Sequence, residues 1–394
     1  MNNRRRVAVA AFISIAILLT GVELVNVCWA NFTPPPPELP PIYIRENGSI
    51  EPPNAPIQRE GDCFIFTGNV TGYCLWVQRS NIVIDGSGYV LQGLPNRTAY
   101  IMYGMVLKGV TNVTVENIVF EGLNIGLYVI NPSGDAPCSN ILITGNVFRD
   151  SYYGVSLGYQ SFNNTVSKNT FTDLIPYAIC LYSTNNNTII ENSIVNNRVP
   201  ADSLFASTPG VHGLGCGTIA FDASSNNTIK GNNFQNNTRV VELIGDSYGN
   251  LFCQNNFIDS SVVLMLPYPP PFDSNRWDNG LMGNYWSDYK GVDSNADGVG
   301  DTAFTVDGNN TDYYPLVAPV SIQSSEPSPS PTPASAASPT PNSTPTQQPT
   351  SAPSQTPDRV QVQDFAPVLI PAGMSFLALV VVGLLVYFRK RRAV

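Results

Sequence analysis

The stretch Ile141-Leu-Ile-Thr-Gly-Asn146-Val-Phe148 decides the fold of this chain, because close copies of it recur along the sequence. Each copy is a short apolar segment followed by Asn, one variable residue, and Phe or Ile. Further copies lie at residues 165–171, 188–194, 228–234 and 251–257, and less regular ones at 82–85 and 113–117. The repeated Asn residues stand at 117, 146, 169, 192, 232 and 255, so three of the five intervals are 23 residues.

A second apolar segment follows each repeated Asn by eight or nine residues, at 126–129, 154–157, 178–181, 218–221 and 240–243. Its residues alternate, so that Val155 and Leu157 would face the same side of a strand. A 23-residue unit of short strands cannot bury its apolar face alone, and the units must stack. We therefore predict an all-β protein, a right-handed parallel β-helix (a pectin-lyase-like solenoid) of ~23-residue coils, in which equivalent strands pair ~4.8 Å apart.

The repeated Asn residues are interpreted as structural. Asn tolerates the left-handed conformation of a tight turn, and side-chain amides in register can hydrogen-bond from coil to coil. The predicted ladder consists of Asn117, Asn146, Asn169, Asn192, Asn232 and Asn255.

Composition narrows the possible functions. Only 12% of the 394 residues are charged, which argues against a helical enzyme with exposed polar helix faces. Residues 31–364 hold 13 basic and 28 acidic residues, and such an acidic body repels phosphate, so no nucleic-acid partner is expected. A single His leaves little room for a histidine-rich metal site or a His-based triad.

The two ends of the chain indicate export and anchoring. Residues 1–30 have the pattern of a signal peptide, with an uncleaved anchor helix as the alternative. Residues 319–364 are a Pro/Ser/Thr-rich stalk. Residues 365–388 carry no charge and form a predicted C-terminal transmembrane helix, followed by a basic cytoplasmic tail at 389–394. The expected location is the cell membrane, single-pass, with the N-terminal body outside; sequons such as those at Asn31, Asn69, Asn112, Asn163 and Asn236 fit a glycoprotein.

Between these ends we expect a Pro-rich arm (31–57), the β-helix (58–271) and a C-terminal cap (272–318) whose Trp277 and Trp286 plug the core. The opening at 81–93 and the close, Gly283-Asn-Tyr-Trp-Ser-Asp-Tyr289 through Asp312-Tyr-Tyr-Pro-Leu316, resemble the NosD-like family of right-handed parallel β-helix proteins, also described as a carbohydrate-binding and sugar-hydrolase module. The stalk and anchor make the chain similar to archaeal cell-surface members.

That family takes its name from a periplasmic protein linked to copper delivery. Copper needs clusters of His, Met or Cys, and with one His and scattered Met no copper is expected here.

One loop has the spacing of a calcium site. Oxygen-bearing residues alternate before and after Gly298, and carboxylates with a backbone carbonyl suit a hard cation. The predicted ligands are Asp293, Asn295, Asp297, Val299 and Asp301. The alternative is a loop closed by Asx turns without metal.

Candidate catalytic residues are few, and no set of them converges in the sequence. Asp150 and Asp173 stand in a column four residues after the ladder, where Asn196, Asn236 and Asp259 favour turn chemistry instead. Asp222 and Glu242 would lie on adjacent coils, at a separation that suits an inverting glycosidase. His212 lies in a 17-residue insertion. We therefore lean towards a non-enzymatic protein.

Tyrosines in or beside the second strands are the candidate carbohydrate-binding residues, since rings on a flat β face can stack on sugar rings. They are Tyr128, Tyr152, Tyr153, Tyr159 and Tyr182, with ordinary strand preference as the alternative. Cys63 and Cys74 flank a turn and could form a disulfide.

Together these features predict a surface-anchored β-helix that binds extracellular or envelope carbohydrate or contributes to the cell envelope. The alternatives are a polysaccharide-processing enzyme (a glycoside hydrolase, lyase or epimerase) and a structural surface-layer component.

Overall fold

The computed structural model describes residues 39–95, 102–131, 137–197, 218–260, 275–307 and 310–322, and every structural statement below concerns these residues. The predicted signal peptide, transmembrane helix and basic tail, and all of the stalk but its first residues, lie outside them. Among the described residues there is no helix long and apolar enough to cross a membrane.

Three sheets carry the architecture. Sheet 1 contains β1 (Pro41–Ile44), β2 (Ile50–Glu51), β6 (Cys74–Val77), β9 (Tyr103–Lys108), β12 (Ile125–Ile130), β15 (Tyr153–Gly158), β18 (Tyr177–Tyr182), β21 (Ile219–Asp222) and β24 (Val241–Ile244). Sheet 2 contains β3 (Ile57–Glu60), β4 (Cys63–Phe66), β7 (Ile82–Asp85), β10 (Val113–Glu116), β13 (Leu142–Thr144), β16 (Thr165–Ser167), β19 (Thr188–Ile190), β22 (Thr228–Lys230) and β25 (Leu251–Cys253).

Sheet 3 contains β5 (Val70–Thr71), β8 (Val90–Gln92), β11 (Val119–Glu121), β14 (Val147–Arg149), β17 (Thr170–Thr172), β20 (Ser193–Val195), β23 (Asn233–Gln235), β26 (Asn256–Ile258) and β27 (Tyr285–Trp286). A separate antiparallel pair, β28 (Phe304–Asp307) and β29 (Asn310–Asp312), belongs to the C-terminal cap.

Each complete coil contributes one strand to each sheet and returns in register. Val166 of β16 pairs with Ile143 on one side and with Ile189 on the other, both parallel. The predicted parallel β-helix is therefore confirmed. It begins earlier than predicted, because β1 already pairs with β6 and buries Ile42 and Ile44, so the segment up to residue 57 is not merely an arm.

The core is a set of side-chain columns parallel to the stack. On sheet 3, the rings of Phe120, Phe148 and Phe171 stack with centroids 4.6 and 4.9 Å apart. The column reaches Trp286, whose ring stacks on Phe257 at 4.3 Å and on Phe304 of the cap at 4.6 Å. Trp277 and Trp286 are both buried at the C-terminal end, where the cap closes the core as expected.

The central strands of sheet 1, β9, β12, β15 and β18, have six residues each and are longer than the strands of the other sheets, and the first three of them contain glycines that approach their neighbours closely. A Cβ at Gly154 would lie 2.6 Å from the Ala178 carbonyl oxygen and 2.8 Å from the Phe171 ring. Gly154 and Val155 thus both face inwards, and Tyr153 on one side and Ser156 on the other face outwards. This irregularity gives sheet 1 an outward surface with separate rows of side chains.

A buried amide ladder fastens the coils to one another. The Asn169 Oδ1 accepts hydrogen bonds from the Asn146 backbone N–H and Nδ2 at 2.9 and 3.1 Å, and the Asn169 Nδ2 donates to the Ile143 carbonyl. The same pattern continues through Asn192, Asn232, Asn255 and Asn284, all almost completely buried. Every polar atom of these buried amides is used, as burial requires.

Two further ladders were not predicted. The longer one runs through Asn164, Asn187, Asn227, Asn250 and Asn275 with the same two hydrogen bonds per step. A shorter one joins Asn197 to Asn237 and then Ser260.

The left-handed turn residues are not the ladder residues, which corrects the role that we expected for Asn. The positive φ angles belong to the residue before each ladder Asn, for example Lys168 (54°) and Glu191 (57°). Asn117, predicted as the first ladder member, is itself such a turn residue at 55°. Ile118 occupies the ladder column, and its N–H donates to the Asn146 Oδ1.

The cap ends the first ladder with a carboxylate. The Asp312 Oδ2 accepts hydrogen bonds from the Asn284 N–H at 2.7 Å and the Trp286 Nε1 at 2.9 Å. Asp312 is fully buried, and burial raises its pKa to about 6 although these donors and the Tyr314 N–H act in the opposite direction.

We predict that Asn192→Ala lowers the free energy of unfolding by about 3 kcal/mol, because it leaves buried donors of Asn169 without an acceptor. The control is Asn196→Gly, four residues away at an exposed position with a φ of 60° that suits glycine. Urea unfolding of both variants measures the difference. Equal stability of the two variants would contradict a stabilising ladder.

The Asp312 pKa predicts a pH dependence of stability. The folded protein binds this proton more tightly than the unfolded chain, so the contribution is fully present below about pH 4 and lost as the pH rises through about 6. The loss amounts to about 3 kcal/mol. Asp312→Asn should remove this dependence, since the neutral amide does not titrate.

Unfolding free energies of the wild type and Asp312→Asn at pH 4.5 and pH 7.5 provide the measurement. Other carboxylates titrate in both proteins and cancel in the difference. If the unfolding free energies of the two proteins change equally between these pH values, the pKa of Asp312 is not raised.

Candidate functional site

The outward surface of sheet 1 holds a groove that collects most of the tyrosines singled out in the sequence. It encloses about 310 Å³. Its lining, here called the tyrosine groove, comprises Ile125, Tyr128, Tyr153, Ser156, Gly158, Tyr159, Tyr177, Cys180, Tyr182, Ala220, Asp222 and Ile244.

Strand register creates the floor of this groove. Tyr128, Ser156, Cys180 and Ala220 pair in sequence across β12, β15, β18 and β21, so they form one outward row along the stack. The other three residues of this row, Ser156, Cys180 and Ala220, are small. A trough therefore opens along the axis of the β-helix, with Tyr128 at one end.

The walls of the groove are the rows on either side of the floor. One wall contains Ile125, Tyr153 and Tyr177, which pair with one another across three strands. The rings of Tyr153 and Tyr177 lie 5.4 Å apart. The opposite wall contains Tyr182 and Asp222, which also pair. Tyr159 packs edge-on against Tyr182 with centroids 4.9 Å apart.

Tyr159 is held in an unusual backbone conformation at the rim of the groove. Its φ is 33°, and the next residue, Gln160, has a φ of 56°. A bulky residue with positive φ is uncommon and often marks a functional position. Tyr159 and Tyr182 remain 45% and 38% exposed, so their ring surfaces are available to a ligand.

A buried carboxylate anchors the wall that contains Tyr177. The Tyr177 hydroxyl donates a hydrogen bond to the Glu242 Oε2 at 2.9 Å. Glu242 lies in β24 opposite Ala220 and is almost completely buried, so Tyr177 reaches across β21 over this small residue. The contact fixes the orientation of the Tyr177 ring and therefore the width of the groove.

Burial makes several titratable groups of the groove harder to ionise. Burial raises the pKa of Tyr128 to about 12 and that of the Cys180 thiol to about 12. The pKa of Tyr177 is raised by burial and by the neighbouring Glu242 carboxylate. Burial also raises the pKa of Asp222. Around neutral pH Tyr128, Tyr177 and Cys180 are therefore neutral.

The structure separates the predicted site residues. Tyr128, Tyr153, Tyr159 and Tyr182 line the groove, together with Asp222, whereas Tyr152 lies in the turn before β15. Tyr177 was missed, although it stands one coil after Tyr153 in the same row. Register places Asp222 and Glu242 two residues out of step on adjacent strands, about 8 Å apart between Cα atoms by strand geometry.

The remaining candidates fall elsewhere. Asp150, Asp173, Asn196, Asn236 and Asp259 all have positive φ angles between 46° and 60°, so the column is one of turn residues. His212 lies outside the described residues. Cys63 has a free thiol, so the predicted Cys63–Cys74 disulfide is not formed. The segment between them is no hairpin, because it passes from sheet 2 through β5 of sheet 3 to sheet 1.

The predicted calcium loop directs its carboxylates to its own backbone. The Asp293 carboxylate accepts from the Asp297 and Gly298 N–H groups at 3.2 and 2.8 Å, and Asp301 accepts from the Ser294 N–H at 3.0 Å. The described residues contain no group of three or more His, Cys, Asp and Glu side chains that could hold a metal ion. The structure thus offers calcium at Asp293, Asn295, Asp297, Val299 and Asp301 no support.

The described Met and Cys side chains do not fit a copper site. Met102 and Met105 are buried in the core, and the Met102 sulfur accepts the Leu94 N–H. Cys63 and Cys180 lie on different sheets. Copper ligands must converge on one point, and these side chains do not.

Parts of the sequence and of the fold are similar to those of known proteins. A family model described as "Periplasmic copper-binding protein (NosD)" matches residues 60–291, more than half of the chain. The "Probable ABC transporter binding protein NosD" of Stutzerimonas stutzeri is 30% identical over 102 residues, which are 26% of this chain and 23% of that protein. The match thus spans about a quarter of that relative's length.

Solved structures with some similarity include tailspike protein 2 of bacteriophage CBA120, at 15% identity and a TM-score of 0.31, covering 50% of this chain and 38% of that one. The tailspike of E. coli bacteriophage HK620, solved with a hexasaccharide, has 13% identity and a TM-score of 0.26, covering 56% and 47%. The GH136 lacto-N-biosidase from Eubacterium ramulus has 10% identity and a TM-score of 0.30, covering 56% and 51%. At such low TM-scores nothing about the function of this chain follows from them.

Proposed function

This chain belongs to the NosD family, and we propose that it binds neutral carbohydrate chains in the tyrosine groove of sheet 1. The observation that carries the proposal is the trough itself. Five tyrosines stand around a floor of small residues on an otherwise regular β surface.

The shape and chemistry of the groove suit sugar rings. A volume of about 310 Å³ is at the lower end of the range of small-molecule sites. Tyrosine rings offer flat apolar faces to the C–H faces of a pyranose, and their hydroxyls can exchange hydrogen bonds with sugar hydroxyls. Because Tyr177 is held by Glu242, part of this surface is preorganised.

The charge of the groove favours neutral carbohydrates over acidic ones. Asp222 is the one ionisable acid, and no Lys or Arg occurs, among the described residues that line the groove. A uronic acid or a sulfated sugar would place a second negative charge beside this carboxylate without a cation to offset it. A neutral glycan meets no such repulsion, and its hydroxyls can donate hydrogen bonds to Asp222.

The cellular setting of the proposal comes from the sequence. Residues 1–30 would direct export, residues 319–364 would form a stalk, and residues 365–388 would anchor the chain in the membrane. The β-helix would then be displayed outside the cell, where envelope or extracellular glycans are the available carbohydrates.

We expect the full chain, purified in detergent, to bind at least one of cellohexaose, mannohexaose and N-acetylchitohexaose more tightly than hexagalacturonate. Tyr182→Ala should weaken binding about tenfold, because it removes an exposed ring from the groove wall. Isothermal titration calorimetry measures both effects. Tyr313→Ala, in the cap and 66% exposed, is the matched control and should bind as the wild type does.

Two results would contradict this proposal. One is the absence of binding to all three neutral hexasaccharides. The other is an equal loss on Tyr182→Ala and Tyr313→Ala, since the groove would then have no special role. Preference for hexagalacturonate would overturn the charge argument while leaving the site in place.

A second candidate function is enzymatic, and one observation favours it. Asp222 lies in the groove with a pKa raised by burial, and such perturbed carboxylates in clefts are frequent in active sites. Glu242 lies on the adjacent strand at a separation compatible with an inverting glycosidase. Its burial behind Tyr177 favours a positioning role and leaves Asp222 without an accessible partner carboxylate among the described residues that line the groove.

We accordingly expect no release of reducing ends from the three neutral hexasaccharides above the level of an Asp222→Asn control. The assay is product formation over hours at several pH values between 4 and 8. Steady release that Asp222→Asn abolishes would replace the binding function with glycoside hydrolysis.

A further inference from the structure

A second groove opens on the same face of sheet 1, nearer its N-terminal end. It encloses about 530 Å³. Its lining includes the aromatic residues Tyr43 and Trp76 and the polar residues Glu46, Gln78 and Lys108, and we call it the tryptophan groove.

Register places the two grooves on one line. Tyr43 pairs with Trp76, Trp76 with Val106, and Val106 with Tyr128. This is the same outward row that continues as Ser156, Cys180 and Ala220 in the floor of the tyrosine groove. Trp76 and Tyr128 are therefore two strand spacings apart, about 10 Å along the axis.

Apolar and aromatic side chains separate the two grooves. Val106 fills the row between Trp76 and Tyr128 and is almost completely buried, so a chain that passes from one groove to the other would run over the side chains that cover it. The Tyr103 ring lies beside it and packs against Tyr128 with centroids 5.7 Å apart. A chain that leaves the tyrosine groove past Tyr128 would reach Trp76 without a charged residue of the floor row in its path.

Contacts with neighbouring side chains hold part of the lining of the tryptophan groove in place. The guanidinium of Arg45 stacks 3.8 Å from the centroid of the Tyr43 ring, and its Nη1 donates to the Gln78 Oε1 at 3.3 Å. Arg45 also pairs with Glu51. These contacts fix Tyr43 and Gln78, while the Trp76 ring is partly exposed and Lys108 is exposed at the side.

We propose that the tryptophan groove is a subsite for the same glycan, so that one polysaccharide chain lies along the axis of the β-helix and occupies both grooves. This inference rests on the proposed function. The strand spacing of about 4.8 Å is close to the length of one pyranose unit in an extended chain, so successive sugars can meet successive coils. The occupant is a continuous neutral glycan, and Trp76 is its stacking platform in the second groove.

Glycan length and Trp76 together test this inference. The probes are the trisaccharides and hexasaccharides of the cello-, manno- and N-acetylchito- series, titrated calorimetrically into the full chain. A trisaccharide fills the tyrosine groove alone, whereas a hexasaccharide reaches Trp76. We expect the hexasaccharide to bind about tenfold tighter than the trisaccharide of the same series.

Trp76→Ala should reduce hexasaccharide affinity to the trisaccharide level and leave trisaccharide affinity unchanged. Unchanged trisaccharide binding also shows that the variant is folded. Lys108→Ala, an exposed change on the same groove, provides a second variant with a smaller loss confined to the hexasaccharide. Tyr313→Ala is the control for a change outside both grooves.

The outcomes separate the two claims. Equal affinity for trisaccharide and hexasaccharide, or an equal loss of both on Trp76→Ala, overturns the shared chain while the tyrosine groove remains a binding site. Binding of neither length overturns the proposed function and the inference with it. A loss confined to the hexasaccharide supports both.

Discussion

The buried amide ladder is the constraint on which the rest of the structure depends. Each ladder Asn is inaccessible to water and uses all its hydrogen-bonding atoms on neighbouring coils, so a coil out of register would leave buried polar atoms unsatisfied. Non-polar columns such as Phe120, Phe148 and Phe171 tolerate small shifts more easily, because dispersion is non-directional. The ladder thus supplies the register, and the columns of Ile, Val, Leu and Phe side chains supply the apolar core.

The fixed register also brings tyrosines that are far apart in the sequence together on one surface. Tyr153 and Tyr177 stand 24 residues apart in sequence, yet the register brings their rings to 5.4 Å. The same register aligns Tyr128, Ser156, Cys180 and Ala220 as one floor and carries that row back to Trp76. A tyrosine-lined face therefore follows from coil stacking without any specialised loop among the described residues.

Much of this architecture is readable in the sequence because a 23-residue period is unambiguous and the strands alternate. The parallel β-helix and the burial of Trp277 and Trp286 follow from that pattern. The placement of Asp222 and Glu242 on adjacent strands follows from it as well. The turn details do not follow from it, since the positive φ that we expected at Asn is adopted by Lys168 and Glu191, which are not among the residue types that favour it. Asn164 and Asn187 escaped notice because Asn-Asn-Thr resembles a glycosylation sequon.

The tyrosine groove could be predicted only in part. Its wall and floor depend on which residues face outwards, and strict alternation fails at Gly154, where two successive residues face inwards. A crystal structure of the protein with a bound neutral hexasaccharide tests the central claim most directly. We expect sugar rings on Tyr153, Tyr159 and Tyr182, with the chain direction parallel to the axis of the β-helix. A glycan bound on sheet 2, on sheet 3 or at the cap, with the tyrosine groove empty, would contradict it.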